Sequence, residues 1–316
     1  MSIAVVFPGQ GSQSVGMLAE LVKAEPAAAA AFAEADEALG FSLSGLVRDG
    51  PAEDLGRTDR TQPAMLVAGV AAWRAWQARD GALPVAMAGH SLGEYTALVC
   101  AGALDFGDAL RIVQLRGELM QQAVPEGEGA MAAVLGLDDD AVGSACAQAE
   151  SGGGVVEAVN FNAPGQVVIA GNAATVARAI EAARAAGARR AVPLPVSVPA
   201  HCRLMDPVGE RLAEVLAATR LATPAIPVFH NIDAAARREP GAIRAALAEQ
   251  VRRPVRWVDC VRALQAAGAD TLVEAGPGKV LTGLARRIDR ELTGLPVDDP
   301  VTLEAALAAT RETQDD

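Results

Sequence analysis

The chain has 316 residues and a formal net charge of −12, with 27 Lys and Arg against 39 Asp and Glu. Hydrophobic residues make up 51% and charged residues 21%, which provides a sizeable core and excludes disorder of the whole chain. The excess of acidic residues argues against a protein that wraps nucleic acid, because that function needs clustered Lys and Arg. The length suits one large domain or one domain with an insertion.

The cysteines and the first residues both predict an intracellular protein. The four cysteines are widely spaced without a C-x-x-C motif, which argues against a zinc site and against a disulfide framework. The N-terminus has no basic stretch followed by a long apolar run, so we expect no secretory signal. No segment reaches the roughly 20 unbroken apolar residues of a membrane span. We therefore expect a cytoplasmic protein that binds neither membranes nor nucleic acid.

Short apolar segments alternate along the chain with segments of helical period, a pattern typical of α/β proteins with a mainly parallel sheet. Strands are predicted at 3–7, 85–89, 227–230 and 271–275. Helices are predicted at 26–39, 62–79, 92–101 and 105–124, the first two with a proline near the start. From about Pro296 onward the pattern predicts a frayed or loosely helical tail.

The middle of the chain has a different order of elements. Strands are predicted at 130–137, 155–160, 166–170 and 190–195, and helices at 138–149 and 173–186. The resulting order βαββαβ is that of a ferredoxin-like unit, and stretches rich in Pro and Gly flank it. We therefore predict a small ferredoxin-like domain, residues 127–197, inserted into a large α/β domain, residues 1–126 and 198–316.

The stretch Gly89-His90-Ser91-Leu92-Gly93 is the strongest sign of chemistry. It has the pattern G-x-S-x-G between a predicted strand and a predicted helix, where the glycines allow a sharp turn that exposes the serine hydroxyl. The following helix directs its free N–H groups and positive dipole end toward whatever Ser91 attacks. The alternative is an ordinary turn with a capping serine. We predict a nucleophilic Ser91 in an α/β-hydrolase-like large domain.

A serine nucleophile needs a base, and the chain has three histidines. His90 adjoins Ser91 and would point away from it on an extended strand. His201 lies in a loop stiffened by prolines where the chain leaves the small domain, and His230 ends a predicted strand. Because a loop at a domain junction can reach a cleft, we favour His201 as the base, with His230 as the second candidate.

Two glycine-rich loops do not have nucleotide-binding patterns. The loop at 8–13 lacks the third glycine of G-x-G-x-x-G, and the loop at 276–280 lacks the first glycine and the final Ser or Thr of Walker A. The first loop can instead supply a backbone N–H to an oxyanion, together with the N–H of Leu92.

Three further polar residues leave two interpretations open. Arg116 lies among apolar residues of a predicted helix, where it either pairs with a carboxylate from protein or ligand or extends its charge to solvent. Asn160 and Asn162 lie in a predicted turn, which asparagine commonly forms.

Seven stretches resemble the malonyl-CoA:acyl carrier protein transacylases of type II fatty-acid synthesis, in the same order and over nearly the whole chain. They are FPGQGSQ (7–13), GHSLGEY (89–95), LRGELMQ (115–121), NFNAPGQVVIAG (160–171), VSVPAHC (196–202), EQ with PVRW (249–250 and 254–257) and EAGPGKVLTG (274–283). The resemblance implies transfer of a malonyl group from malonyl-CoA to the pantetheine thiol of acyl carrier protein through a malonyl-serine intermediate, without a metal or another cofactor.

The resemblance also implies roles for individual residues. Ser91 is the nucleophile, His201 is its base, and a backbone carbonyl of Gln250 holds the histidine in place of an aspartate. Backbone N–H groups of Gln10 and Leu92 form the oxyanion hole. The residues expected to bind the substrate are Arg116, which takes the malonyl carboxylate, with His90, Asn160 and Asn162.

Carrier proteins of this kind are acidic, as this chain is, so docking requires a local basic patch. We predict the patch at Lys279, Arg286 and Arg287, and the alternative is that these are ordinary solvated helix positions. Further candidates for it are Arg290 and the pair Arg189-Arg190. No long exposed apolar stripe demands a second copy, so we expect a monomer.

Three other functions stay open. A thioesterase or esterase shares the elbow and transfers the acyl group to water, and Ser91, Asp206 and His230 would be its triad. The malonyl transferase subunit of malonate decarboxylase has a similar fold and chemistry but serves another carrier. A non-catalytic partner module is the third alternative, and the presence of Ser91, His201 and Arg116 disfavours it.

Overall fold

The computed structural model describes residues 1–196 and 198–311. Its strands, in chain order, are β1 (Ile3–Phe7), β2 (Ala86–Gly89), β3 (Gly129–Leu135), β4 (Val156–Ala163), β5 (Gln166–Asn172), β6 (Arg190–Pro193), β7 (Val228–Phe229), β8 (Thr271–Ala275) and β9 (Thr293–Val297). Its helices are α1 (Ala19–Ala24), α2 (Pro26–Leu39), α3 (Leu43–Asp49), α4 (Ala52–Gly56), α5 (Thr58–Ala78), α6 (Gly93–Cys100), α7 (Phe106–Ala123), α8 (Asp139–Glu150), α9 (Ala173–Ala185), α10 (Asp206–Ala218), α11 (Pro240–Gln250), α12 (Trp257–Ala266), α13 (Val280–Ile288) and α14 (Pro300–Arg311).

The larger sheet contains five parallel strands in the order β7-β2-β1-β8-β9. All five residues of the central strand β1 are buried, as expected for a parallel sheet covered on both faces by helices. In such a sheet the carboxyl ends of the strands meet at one edge, where ligands usually bind. The loops after β1, β2 and β7, which carry Gln10, Ser91 and Asn231, therefore converge at that edge.

The smaller sheet contains four antiparallel strands in the order β4-β5-β3-β6. Helices α8 and α9 pack on one face of it and enclose a separate apolar cluster. Its other face contributes Met131 and Val159 to a second cluster, which includes Cys202 beside His201. The predicted fold class, a parallel α/β sheet with a ferredoxin-like unit inserted, is confirmed. The limits of the two domains, 126/127 and 197/198, stay a prediction.

The prediction of a frayed or loosely helical tail from about Pro296 is wrong up to Arg311, where the chain forms a strand end and a packed helix, and its part at 312–316 lies outside the described residues. Pro296 lies in the edge strand β9, where its missing N–H removes no essential hydrogen bond, and α14 follows. Leu303, Ala306 and Leu307 of α14 are fully buried, with the spacing of one helix face. Their alternation with Ala and Thr made this face inconspicuous in the sequence.

Two predicted boundaries also move. Helix α5 begins at Thr58, not at 62, so its Pro63 lies inside the helix instead of near its start. The strand predicted at 227–230 is limited to Val228–Phe229, because His230 and Asn231 leave the sheet to bond near the elbow. Within the described ranges no helix is both long and apolar enough to cross a bilayer.

Candidate active site

The elbow after β2 holds Ser91 in a left-handed backbone conformation, with φ +52°. Such a conformation costs a residue with a side chain about 1–2 kcal/mol, so the surroundings must enforce it. A Cβ atom on Gly89 would lie 1.8 Å from the carbonyl carbon of Gly93, and one on Gly93 would lie 2.2 Å from the carbonyl oxygen of Phe7. The two glycines of the motif are therefore required because backbone segments approach closely at the turn.

Ser91 bonds directly to His201. The Ser91 Oγ and His201 Nε2 atoms are 2.7 Å apart, and His201 Nδ1 lies 2.8 Å from the carbonyl oxygen of Gln250. A carbonyl oxygen only accepts, so Nδ1 carries the hydrogen and Nε2 is free to accept the serine proton. The structure thus brings together the predicted nucleophile and the preferred base, with a backbone carbonyl behind the base.

The surroundings of His201 keep it neutral. The side chain is 2% exposed, and its burial, helped by the nearby charge of Arg116, lowers its pKa from 6.5 to about 3. A neutral imidazole bonded to the serine hydroxyl is the form that a general base needs.

Arg116 is a buried cation on α7 and is only 1% exposed. Its Nη1 donates to Gln62 Oε1 at 2.8 Å, and its Nη2 lies 3.1 Å from Gln250 Oε1 and 3.4 Å from Ser91 Oγ. Its Nε has no partner and no carboxylate pairs with it among residues 1–196 and 198–311. Burial lowers the pKa of this guanidinium, and the nearby Tyr95 and Glu94 side chains offset that effect only in part. The interpretation that Arg116 extends to solvent is therefore wrong, and a carboxylate of a ligand would fit beside Ser91.

Two backbone N–H groups are available for an oxyanion. Gln10 and Leu92 line the same cavity as Ser91, and their N–H groups donate to no atom in the described part of the chain. The N–H of Ser91 itself donates to Asn231 Oδ1 at 2.7 Å. The donors left for a substrate oxygen are those that the sequence predicted.

The cavity around these groups has a volume of about 120 Å³. One wall is polar and belongs to the elbow, Arg116 and His201, while the opposite wall is apolar and comes from the small sheet and the segment after it. The apolar residues of that wall are Met131, Leu194, Val196, Val198 and Ala200. Such a wall keeps water from the serine and strengthens electrostatic contacts inside the cavity.

Of the other predicted substrate-binding residues, Asn160 and Asn162 belong to β4 and His90 follows β2 at the elbow. His90 Nε2 and Asn162 Oδ1 are 2.8 Å apart, and burial lowers the pKa of His90. Asn160 lines the cavity, and its Oδ1 has no partner within the described ranges. Both asparagines belong to β4, so the interpretation that they form a turn is wrong; the pairing of β4 with β5 is irregular around them.

The alternative triad is not assembled. His230 is completely buried and its Nδ1 donates to Glu94 Oε1 at 2.7 Å. Asp206 lies at the start of α10 and pairs with Arg252 at 3.6 Å, away from His230. Sequence analysis missed Glu94, Asn231 and Gln62, although Glu94 lies inside the quoted elbow motif.

The predicted basic patch is exposed on α13 and the small sheet. Lys279, Arg286 and Arg287 are all exposed, as are Arg189, Arg190 and Arg290. Arg287 Nη1 donates to Gln166 Oε1 of β5, so α13 and the small sheet are in contact there. The described residues contain no group of three or more His, Cys, Asp and Glu side chains arranged to hold a metal ion.

Comparisons with known proteins agree with this geometry. The family model "Acyl transferase domain" matches residues 4–300. A malonyl CoA-acyl carrier protein transacylase of Salmonella typhimurium is 53% identical over 304 residues, which cover 96% of this chain and 98% of that protein. The crystal structure of a Vibrio cholerae acyl carrier protein S-malonyltransferase has 54% identity and a TM-score of 0.94, covering 96% of this chain and 99% of that one. A malonyl-transacylase in complex with its type II polyketide synthase acyl carrier protein has 51% identity and a TM-score of 0.96, covering 98% and 100%.

Proposed function

Because the chain belongs to the acyl transferase domain family, among the malonyl-CoA:acyl carrier protein transacylases, we propose that it transfers a malonyl group from malonyl-CoA to the pantetheine thiol of an acyl carrier protein. The family predicted from the sequence is confirmed. The observation that carries the proposed reaction is the buried Arg116 guanidinium, which has no carboxylate partner in the described chain and lies 3.4 Å from the hydroxyl of Ser91.

The first half-reaction acylates Ser91. Its Oγ attacks the thioester carbonyl carbon while its proton passes to Nε2 of His201, which is already within 2.7 Å. The carbonyl oxygen becomes an oxyanion that the N–H groups of Gln10 and Leu92 receive. When the tetrahedral intermediate collapses, the C–S bond breaks and His201 returns the proton to the sulfur of coenzyme A.

The second half-reaction repeats these steps with a different thiol. His201 takes the proton of the carrier's pantetheine thiol, whose sulfur attacks the carbonyl carbon of malonyl-Ser91. The oxyanion forms in the same hole, the C–O bond to Ser91 breaks, and the proton returns to Oγ. Because coenzyme A leaves before the carrier reacts, the kinetics are ping-pong. The carbonyl of Gln250 holds Nδ1–H throughout and stabilises the transient imidazolium.

Arg116 selects a malonyl over an acetyl group. A free carboxylate completes its unfilled donors in a water-poor cavity, a contact worth about 1.5–3 kcal/mol. An acetyl group would leave the buried cation unpaired, which is unfavourable. A buried cation beside the nucleophile therefore favours a malonyltransferase over an esterase, because an uncharged acyl group needs no such cation.

The remaining assignments concern partner, assembly and location. The carrier docks on three exposed cations, Lys279 just before α13 and Arg286 and Arg287 on it. The small sheet, which borders the cavity, lies beside them. The chain acts as a monomer without a metal or another cofactor. It works in the cytoplasm, in keeping with its four cysteines, which form no disulfide with one another.

Intact mass spectrometry after brief mixing with malonyl-CoA tests the proposed function. We expect a malonyl adduct on the wild type and none on Ser91→Ala, and we expect holo carrier protein to discharge the adduct. Loss of the thioester to water without a carrier would indicate an esterase. Absence of both adduct and turnover would indicate a binding module and would refute the proposal.

A further inference from the structure

The side chain of Asn231 bonds to the nucleophile elbow on both sides of His90, an arrangement called the Asn231 clamp below. Its Oδ1 accepts the N–H of Ser91 at 2.7 Å, and its Nδ2 donates to the carbonyl oxygen of Gly89 at 2.7 Å. The side chain is completely buried, so water does not compete for either bond. A planar amide that fills both bonds fixes the separation and orientation of the two backbone groups.

Asn231 is itself held rigidly. Its N–H donates to Glu94 Oε2 at 2.8 Å, while Glu94 Oε1 accepts from His230 Nδ1 at 2.7 Å. Its carbonyl accepts the N–H of Arg256 at 2.9 Å. Glu94 belongs to α6, the helix that starts at the elbow, and is fully buried with His230. The segment after β7 is thus joined to both the strand end and the helix start that flank Ser91.

This arrangement determines which N–H groups face the substrate. The backbone of Ser91 is strained, with φ +52°, and without a partner its peptide could turn its N–H toward the cavity. Because Asn231 engages that N–H, the free donors at the elbow and the neighbouring loop are those of Leu92 and Gln10. Preorganised donors of this kind account for large parts of catalytic rates, and small displacements weaken them.

We propose that Asn231 is a positioning residue for the reaction: its amide, anchored by Glu94, holds Ser91 in the strained elbow and keeps the Ser91 N–H out of the oxyanion hole. The inference rests on the proposed acyl transfer for its substrate, while the geometry of the clamp does not depend on which acyl group is transferred. Asn231 contacts neither the cavity nor Arg116, so it acts on the rate of acylation and not on malonyl-CoA binding.

The test compares Asn231→Ala and Asn231→Ser with the wild type in single-turnover acylation by malonyl-CoA. We expect both variants to acylate about 100-fold more slowly, as when an oxyanion donor is lost, with the half-saturating malonyl-CoA concentration unchanged within about twofold, because Arg116 keeps its contacts. Asn172→Ala is the control, since Asn172 Oδ1 also accepts a backbone N–H, that of Val155 at 2.8 Å, but in the small sheet. It should acylate at the wild-type rate.

A second probe separates this inference from the proposed function. Diisopropyl fluorophosphate phosphorylates activated serines without needing a malonyl site, and we expect its reaction with Ser91 to slow similarly in both variants. Urea unfolding shows which variants are folded. If Asn231→Ala does not fold, the test is made with Asn231→Ser, which leaves a smaller cavity than alanine does. Wild-type acylation rates in a folded variant would overturn the inference. So would a higher half-saturating concentration of malonyl-CoA with an unchanged maximal rate. A wild type that reacts with the fluorophosphate but not with malonyl-CoA would refute only the proposed function.

Discussion

Replacing Arg116 by alanine should change which acyl group the enzyme prefers. In the wild type a malonyl carboxylate meets a guanidinium that is 1% exposed and has an unfilled Nε donor. Losing a charge-assisted contact of about 1.5–3 kcal/mol corresponds to a fall of about 10- to 150-fold in kcat/KM for malonyl-CoA. Acetyl-CoA has no carboxylate to lose, and alanine removes the unpaired buried charge that disfavours it. We therefore expect acetyl transfer to be unchanged or faster, so that selectivity falls by at least the malonyl factor.

The assay measures kcat/KM for malonyl-CoA and acetyl-CoA with one holo carrier protein. Arg244→Ala is the matched control, because among the described residues the Arg244 guanidinium donates only to the carbonyls of Leu216 and Thr219, each at 2.9 Å, and does not line the cavity. It should leave both rates and their ratio unchanged. Equal losses for the two substrates in Arg116→Ala would refute the role of Arg116 in selection and would indicate a general disturbance of Ser91 or His201.

Four further predictions concern the elbow, the base, for which there are two, and the docking surface. Gly89→Ala should lower the free energy of unfolding, measured in urea, by about 3 kcal/mol or more, because its Cβ would lie 1.8 Å from a backbone carbon. Gly241→Ala is the control: among the described residues its Cβ would meet no atom within 4 Å beyond its chain neighbours and the backbone of its own helix, so the substitution should be neutral or stabilising. Since the pKa of His201 is lowered to about 3, the rate of Ser91 acylation should not vary between about pH 5 and 8, and a loss of rate near pH 6.5 would contradict a neutral buried base. The same group takes up a proton near pH 6.5 when unfolded, so its contribution to stability should fall as the pH decreases from 6.5 toward 3. Charge reversal of Arg286 and Arg287 should raise KM for the carrier and spare KM for malonyl-CoA, and equal effects on both would exclude this patch.

The sequence predicts the fold where the local pattern and the tertiary environment agree. The buried strand β1 consists of apolar residues only, and β8 is a short buried strand that ends just before a glycine; the predicted limits of both match the structure. Helix α14 was predicted only as a frayed or loosely helical tail, because its buried face consists of Leu303, Leu307 and small residues, which give little contrast with the exposed face. Packing against the rest of the chain, not local propensity, determines that this segment is an ordered helix.

The site likewise contains residues that the local sequence predicts and residues that only the tertiary fold brings together. Ser91 and its glycines form one short motif, since the turn itself imposes their spacing. Asn231 lies 140 residues from Ser91 in the sequence, and nothing in its neighbourhood shows that it will bond to the elbow. That contact exists only because β7 pairs with β2 and brings the two loops to one edge of the sheet. Residues that act through backbone groups leave weaker signals in a sequence than residues with reactive side chains.

The net charge of −12 and the negative charge of malonyl-CoA are compatible because distance and burial separate the relevant charges. At physiological ionic strength the Debye length is about 8 Å, so most surface carboxylates contribute little inside the cavity. A carboxylate about 4 Å from the Arg116 guanidinium gains about 4 kcal/mol at an effective dielectric constant near 20, before desolvation is subtracted. At the proposed acyl site the local field of this one cation, which no carboxylate contacts within the described residues, therefore outweighs the overall acidity of the protein. The proposed carrier docking lies at the exposed surface, where screening is strong, so we expect it to depend on the positions of nearby cations such as Arg286 and to weaken as salt increases.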